Sequence, residues 1–154
     1  LRQTLEQQIE ALRLKERVSF LGNLPHEICK RHLQAASVLL YPSVTASDGD
    51  TEGGAPVGIL EAMAVGLPVV STRHADIPFV TGEGTAAHLS DERDVDGLAA
   101  GLRQVLNEDE KVKRMVDAGQ RAAEETHSLA AQAQSLERHY DTVLEKEKGL
   151  TPQL

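Results

Sequence analysis

The sequence predicts an α/β fold in which helices cover a parallel sheet, followed by a helical last third. Short, almost wholly apolar segments alternate with segments of helical periodicity, as in parallel sheets that are buried on both faces. We expect strands over residues 18–21, 38–41 and 68–72, and a small fourth strand over residues 85–89.

The predicted helices rest on apolar spacing and on proline and glycine positions. Residues 1–14 form the first, because leucine and isoleucine recur there every three or four positions. Pro25 opens the second, and Pro56 opens a third that ends at Gly66, where glycine is favoured. In the last third, apolar residues recur at helical spacing over residues 98–106, 112–119 and 129–144.

The chain has 154 residues, the length of one domain. We expect one partial domain over residues 1–145 and a frayed tail over residues 146–154, which show no periodicity. Because the first residue is a leucine and the chain opens within a predicted helix, we interpret it as a piece of a longer protein.

Composition excludes several classes of protein. The net charge of −8 disfavours sequence-independent nucleic-acid binding, which requires Lys and Arg to neutralise phosphates. One cysteine excludes an internal disulfide framework and fits a reducing compartment. No apolar run approaches the roughly 20 residues that a membrane span needs.

The loop between the second strand and the third helix is the candidate site. Ligands of open α/β sheets bind at the carboxyl ends of strands, and this loop follows such an end. Gly53 and Gly54 allow the backbone to approach a ligand, and the helix start at Pro56 favours a phosphate. Glu61 lies roughly 7 Å further along the helix, where its carboxylate could accept bonds from a diol. Simple chain reversal at a glycine-rich turn is the alternative reading of these residues.

Residues 52–72, EGGAPVGILEAMAVGLPVVST, closely resemble the signature of the retaining glycosyltransferases of family 4. That family has the GT-B fold, two Rossmann-like domains with the active site between them. The resemblance covers about residues 1–145 and matches the later part of the carboxyl-terminal, donor-binding domain. It therefore implies a Rossmann-like parallel sheet flanked by helices, as a partial GT-B carboxyl-terminal domain.

The resemblance also implies roles for two glutamates. Glu61 matches the acid that holds the ribose of the donor nucleotide. Glu52 matches the acid that contacts hydroxyls of the transferred sugar and is the catalytic candidate. The family usually has seven residues between these acids, whereas eight separate Glu52 from Glu61 here. The extra residue must bulge in the loop, and Asp50 is the next candidate for the role of Glu52.

The remaining expected contacts of the donor come from backbone and apolar positions. The resemblance implies a UDP-, GDP- or ADP-sugar as donor substrate, no further cofactor and no metal, because the helix N-terminus neutralises the leaving diphosphate. The positions implied at the sugar and diphosphate are Gly53, Gly54, Ala55 and Val57, and those beside the nucleobase are Asn23 and Leu24.

This sequence departs from the family pattern in two further ways. Phe79 stands where the family often has an acidic residue after a proline. The first two strands of the domain, with their diphosphate-binding Arg and Lys, and the amino-terminal acceptor domain have no match in the sequence. A half-sheet of order 3-2-1-4-5-6 would place those two strands between residues 18–21 and 38–41. We expect these two segments to pair directly instead, which would satisfy their backbone groups.

The leading functional hypothesis is the donor-binding half of a retaining glycosyltransferase that serves a glycan or lipid-linked acceptor in surface polysaccharide assembly. Its partners would be the nucleotide-sugar donor and the acceptor domain of the same chain, without which the fragment is predicted to be inactive. We expect a cytoplasmic protein, peripheral to the inner membrane face only through parts outside this sequence. The alternatives are an inactive nucleotide-binding or interaction module, and a relative of sugar-nucleotide epimerases.

Two further polar groups have competing interpretations. Asp48 and Asp50 could bind a metal as an Asp-x-Asp pair, but a hydrogen-bonded turn is favoured, because the helix start already serves the phosphate. His74 and Asp76 follow the third predicted strand on the ligand side. A functional role and an ordinary place in a surface loop are equally compatible with their positions in the sequence.

Overall fold

The computed structural model describes residues 2–51, 54 and 56–148, with residues 146–148 given as helical backbone alone. The chain divides into two compact units, Leu1–Arg31 and His32–Leu154. The single domain over residues 1–145 stays a prediction. The last helix continues to Lys148, three residues into the segment predicted to fray. The rest of that segment lies outside the described residues.

Two helices begin in the first unit, as predicted. Helix α1 spans Arg2–Ala11 and helix α2 spans His26–Ala35. The carbonyl of Pro25 accepts bonds from the amides of Ile28 and Cys29, at 2.9 and 3.1 Å, so the proline opens α2.

The second unit contains a parallel sheet of three strands, which confirms the predicted fold class. They are β1 (Leu39–Tyr41), β2 (Val69–Thr72) and β3 (His88–Ser90), in the order β1-β2-β3. Leu39 lies opposite Val69, and Ser71 lies opposite Leu89. Each strand is followed by a loop at the same edge of the sheet, which we call the carboxyl edge.

Strand β3 begins three residues later than the segment predicted from sequence. The amide of Thr85 donates to the carbonyl of Gly82 at 3.1 Å, and Gly84 has a φ of +93°. These features keep the chain in a turn through Thr85, so parallel pairing with β2 starts only at His88.

Two predictions about residues 18–21 are wrong: this segment forms no strand, and among the described residues β1 pairs with β2 alone. Its apolar side chains are about half exposed, and the guanidinium of Arg2 lies 5.1 Å from the centre of the Phe20 ring. A strand needs a neighbour for its backbone groups. Among the described residues no strand pairs with this segment, so its apolar pattern alone does not make it a strand.

The other helices follow the predicted order, with a five-residue π-helical turn between the last two. That turn spans Ala122–Thr126. The helices are α3 (Val57–Ala64), α4 (Ile77–Val80), α5 (Val95–Asn107), α6 (Asp109–Arg121) and α7 (Leu129–Lys148).

The core of the second unit fixes α3 against the sheet. Ile59 and Met63 on α3 are buried with Val69 on β2 and Ile77 on α4. A Cβ at Gly119 on α6 would lie 3.2 Å from Met63 Cγ, so glycine lets α6 approach α3 closely. Because α3 follows β1 along the chain, its first turn begins at the carboxyl edge.

Candidate functional site

The loop from β1 to α3, residues 42–56, is held at its start by hydroxyl groups of β2. The hydroxyl of Ser71 donates to the carbonyl of Tyr41, and that of Thr72 donates to the carbonyl of Ser43, both at 2.5 Å. Both β2 side chains are fully buried. These bonds satisfy polar groups inside the core and fix where the loop leaves the sheet.

Glu92 and Arg93, two neighbouring residues after β3, form hydrogen bonds with the amide, hydroxyl and carbonyl groups of Thr45. The amide of Thr45 donates to Glu92 Oε2 at 2.8 Å, and its hydroxyl donates to Glu92 Oε1 at 3.2 Å. The guanidinium of Arg93 donates to the carbonyl of Thr45. The loops after β1 and β3 are therefore joined at one residue.

The loop after β2 joins the same cluster through His74. This side chain is buried, and its Nδ1 lies 2.7 Å from Glu92 Oε1. The bond from His74, followed by the amide bond from Thr45, holds the pKa of the Glu92 carboxyl below its usual value. An ionised carboxylate only accepts hydrogen bonds, so Nδ1 carries the proton. The carboxylate thus links all three strand-end loops.

The Asp48–Asp50 segment forms the hydrogen-bonded turn that was favoured from the sequence. The amide of Asp50 donates to Asp48 Oδ1 at 3.1 Å, and the amide of Ala46 donates to the carbonyl of Asp50 at 2.9 Å. Gly49 supplies the positive φ of +85° that the turn needs. Within the described ranges, no group of three metal-binding side chains comes together.

The start of α3 has no side-chain cap. Gly54 is exposed with a φ of +73°, and Pro56 occupies the N-cap position without a side-chain cap. Proline has no side-chain acceptor, so it cannot satisfy the amides of the first turn. The helix N-terminus adds a partial positive charge at the same place.

The structure places the predicted site residues as follows. Val57 is 65% exposed in the first turn of α3, and Glu61 is half-buried one turn further on. Asn23 is exposed at a bend of the first unit, and Leu24 is half-buried there, with its carbonyl 3.7 Å from Cys29 Sγ. The predicted contacts of Glu52, Gly53 and Ala55 fall outside the described residues.

The sequence predicts no role in the site for Thr45, Glu92 or Arg93. Thr45 lies 47 positions before the adjacent pair Glu92 and Arg93, and no local motif marks any of them. The available signal was positional, because Glu92 follows a predicted strand as His74 does. Phe79, which departs from the family pattern, lies on α4 and is 75% exposed.

None of the helices, as far as the structure describes them, combines the length and apolar character needed to cross a membrane.

Comparison with known proteins gives the same picture of the fold. Residues 1–122 match the family model described as "Glycosyl transferases group 1". The amylovoran biosynthesis glycosyltransferase AmsK of Erwinia amylovora is 47% identical over 89 residues, which are 58% of this chain and 22% of AmsK. The chain thus spans about a fifth of that relative.

Two solved structures share the fold. Anabaena HepE, solved in complex with UDP-glucose, superposes with a TM-score of 0.74 at 23% identity, over 91% of this chain and 36% of HepE. The carboxyl-terminal domain of the group 1 glycosyltransferase LpcC of Francisella tularensis superposes with a TM-score of 0.67 at 15% identity. That match covers 83% of this chain and 63% of the LpcC domain.

Proposed function

Because this chain belongs to the glycosyl transferases group 1 family, we propose that it forms the donor-binding part of a retaining glycosyltransferase. The complete protein transfers a sugar from a nucleotide-diphosphate sugar to a glycan or lipid-linked acceptor. The AmsK relative is named for amylovoran biosynthesis, which supports a role in surface polysaccharide assembly.

The start of α3 carries this proposal. Gly54 has a positive φ, and two residues later Pro56 caps a helix that begins at the carboxyl edge of a parallel sheet. This arrangement suits a diphosphate, whose charge it meets with backbone amides and the helix dipole. The UDP-glucose bound to HepE supports the same class of donor for this chain.

The proposed roles follow from position along the loop and helix. Glu61 lies one turn beyond Val57 on α3, which suits a ribose next to a diphosphate at the helix start. Its carboxylate would accept bonds from the two ribose hydroxyls. Glu52, Gly53 and Ala55 are proposed to contact the transferred sugar and the diphosphate on the strength of the family motif.

The helix start takes the charge-neutralising role that a metal has in other transferases, so we propose a metal-independent reaction. We propose further that the 154-residue chain does not transfer sugar by itself. The acceptor domain and the Arg and Lys of the family's first two strands would complete the site.

An inactive nucleotide-binding module is the second candidate. It is favoured by Phe79, which replaces an acidic residue of the family at an exposed position of α4. This module would bind the donor nucleotide without transferring its sugar.

Calorimetric titration of the complete protein with UDP, GDP and ADP, followed by the corresponding sugar nucleotides, tests the proposal. We expect one base to bind preferentially, without added metal, and its sugar nucleotide to support transfer. Binding without transfer to any glycan or lipid-linked acceptor would favour the inactive module. Absence of binding to all three nucleotides would contradict both candidates.

A further inference from the structure

Three hydrogen-bonding groups of Thr45 are bonded to residues of a different loop. Its amide, hydroxyl and carbonyl are all bonded to the neighbouring pair Glu92 and Arg93. One acceptor of this set is a carboxylate and one donor is a guanidinium, and bonds to charged groups are the stronger ones. Rotation or displacement of Thr45 therefore breaks several bonds together.

His74 fixes the carboxylate that holds Thr45. It is 4% exposed, and its Nδ1 lies 2.7 Å from the same Oε1 atom that accepts the Thr45 hydroxyl. A buried imidazole has little freedom to turn, so Glu92 is held from the β2 side while it binds the loop on the β1 side. The three residues form one connected polar network.

The backbone beside both partners is in an unfavourable conformation. Ala75, which follows His74, has a φ of +45°, and Arg93, which follows Glu92, has a φ of +65°. Side chains other than glycine rarely adopt this region, and it is enriched where surrounding structure has a function to fulfil. The strain therefore lies on Arg93, a member of this set, and on Ala75, which is adjacent to it in sequence.

The network acts on the loop that leads to the donor site. Thr45 lies between β1 and the turn at Asp48–Asp50, and the far end of the loop is fixed by α3. The bonds to Thr45 fix the described part of the loop on its β1 side. In the sequence, this part leads directly into Glu52 and the two glycines of the motif.

We propose that His74, Glu92 and Arg93 are positioning residues that hold residues 42–51, the continuously described part of the loop, in the arrangement needed to bind the donor. We call this set, with Thr45, the Thr45 network. The inference rests on the proposed function, because it assigns the loop to the donor. None of the four residues touches the donor in this account, and each acts through the loop.

A network that only stabilised the fold would lower the amount of folded protein and leave its donor affinity unchanged. A positioning network changes donor affinity in molecules that remain folded. The test therefore measures donor KM, acceptor KM and kcat per folded molecule of the complete protein, together with the melting temperature.

The variants are Thr45→Val, Glu92→Gln and His74→Ala, each of which removes hydrogen bonds of the network. His74→Asn is the conservative variant, because its amide N–H can take the place of Nδ1–H. Thr85→Val is the matched control. Its hydroxyl donates to the carbonyl of Gly82 at 2.7 Å in a different, exposed turn.

We expect the three disruptive variants to raise donor KM by about 3- to 10-fold, with acceptor KM and kcat nearly unchanged. His74→Asn should recover most of the loss seen in His74→Ala, and Thr85→Val should match the wild type. Hydrogen exchange of peptides covering residues 42–51 should quicken in the same three variants.

Wild-type donor KM in all three folded variants would overturn the inference and leave the proposed function intact. Failure of the wild-type protein to bind any nucleotide sugar would overturn the proposed function and this inference with it. A lower kcat together with a higher acceptor KM, without a change in donor KM, would also overturn the positioning role.

Discussion

Glu92 and Thr45 lie 47 positions apart, yet the carboxylate of Glu92 accepts hydrogen bonds from both the amide and the hydroxyl of Thr45. The parallel sheet brings them together, because the loops after β1 and β3 leave from the same edge. His74, after the intervening strand β2, bonds the same carboxylate. The order and the parallel direction of three short strands therefore bring the residues of this cluster together.

Acid should weaken the contribution of Glu92 to stability. The His74 bond and then the Thr45 amide bond hold its pKa below 4.5 in the folded protein. A depressed pKa adds stability above the unfolded value, and that stability is lost as pH falls through the folded value. The difference in urea midpoint between the wild type and Glu92→Gln should be largest above the unfolded value of 4.5 and should narrow as the pH falls through the lower folded value. A difference that grows as the pH falls below 4.5 would contradict the assigned cause of the shift, the hydrogen bonds from His74 and Thr45.

Gly101 on α5 should not tolerate a side chain. A Cβ at this buried position would overlap the imidazole of His88 on β3. Gly101→Ala should therefore lower the free energy of unfolding by about 1–3 kcal/mol, measured by urea denaturation.

Gly58→Ala is the matched control for this change, since a Cβ there would lie 3.5 Å from Tyr41 Cε2, an ordinary contact. It should be neutral or stabilising by up to about 1 kcal/mol, from helix propensity. Equal destabilisation by both substitutions would show that the packing of α5 on β3 is not the cause.

Glu52→Gln should lower turnover more than nucleotide affinity, because its proposed contact is to the transferred sugar. Steady-state kinetics of the complete protein measure turnover. Calorimetry measures the affinity for the donor nucleotide separately, so the two effects can be distinguished. Asp50→Asn serves as the comparison, because Asp50 is the alternative acid in the lengthened loop. Normal turnover in Glu52→Gln with a loss in Asp50→Asn would move the role to Asp50.

The fold was largely predictable because local patterns and global packing agree. Strand β2 follows Pro68, and helix α3 lies between Pro56 and Gly66, so prolines and a glycine mark these boundaries in the sequence. The segment 18–21 has the same kind of pattern but forms no strand, since a pattern supplies apolar faces and not a hydrogen-bonding neighbour.

Residues of the candidate site were predictable only where they belong to one continuous sequence motif. Gly54, Val57 and Glu61 belong to one such stretch. The bonds that Ser71 and Thr72 make to the chain around β1 depend on register, which the sequence alone does not specify. Glu92 likewise acquires its role only when three distant loops meet.

The central claim is that α3 binds a nucleotide sugar, and Glu61→Gln tests it most directly. The measurement is a calorimetric titration of the complete protein with its donor nucleotide, beside Glu110→Gln, an exposed acid on α6, as control. Loss of the carboxylate should leave two ribose hydroxyls poorly paired and weaken binding by about 1–3 kcal/mol, while the control binds as the wild type does. Equal affinity in all three proteins would contradict the account.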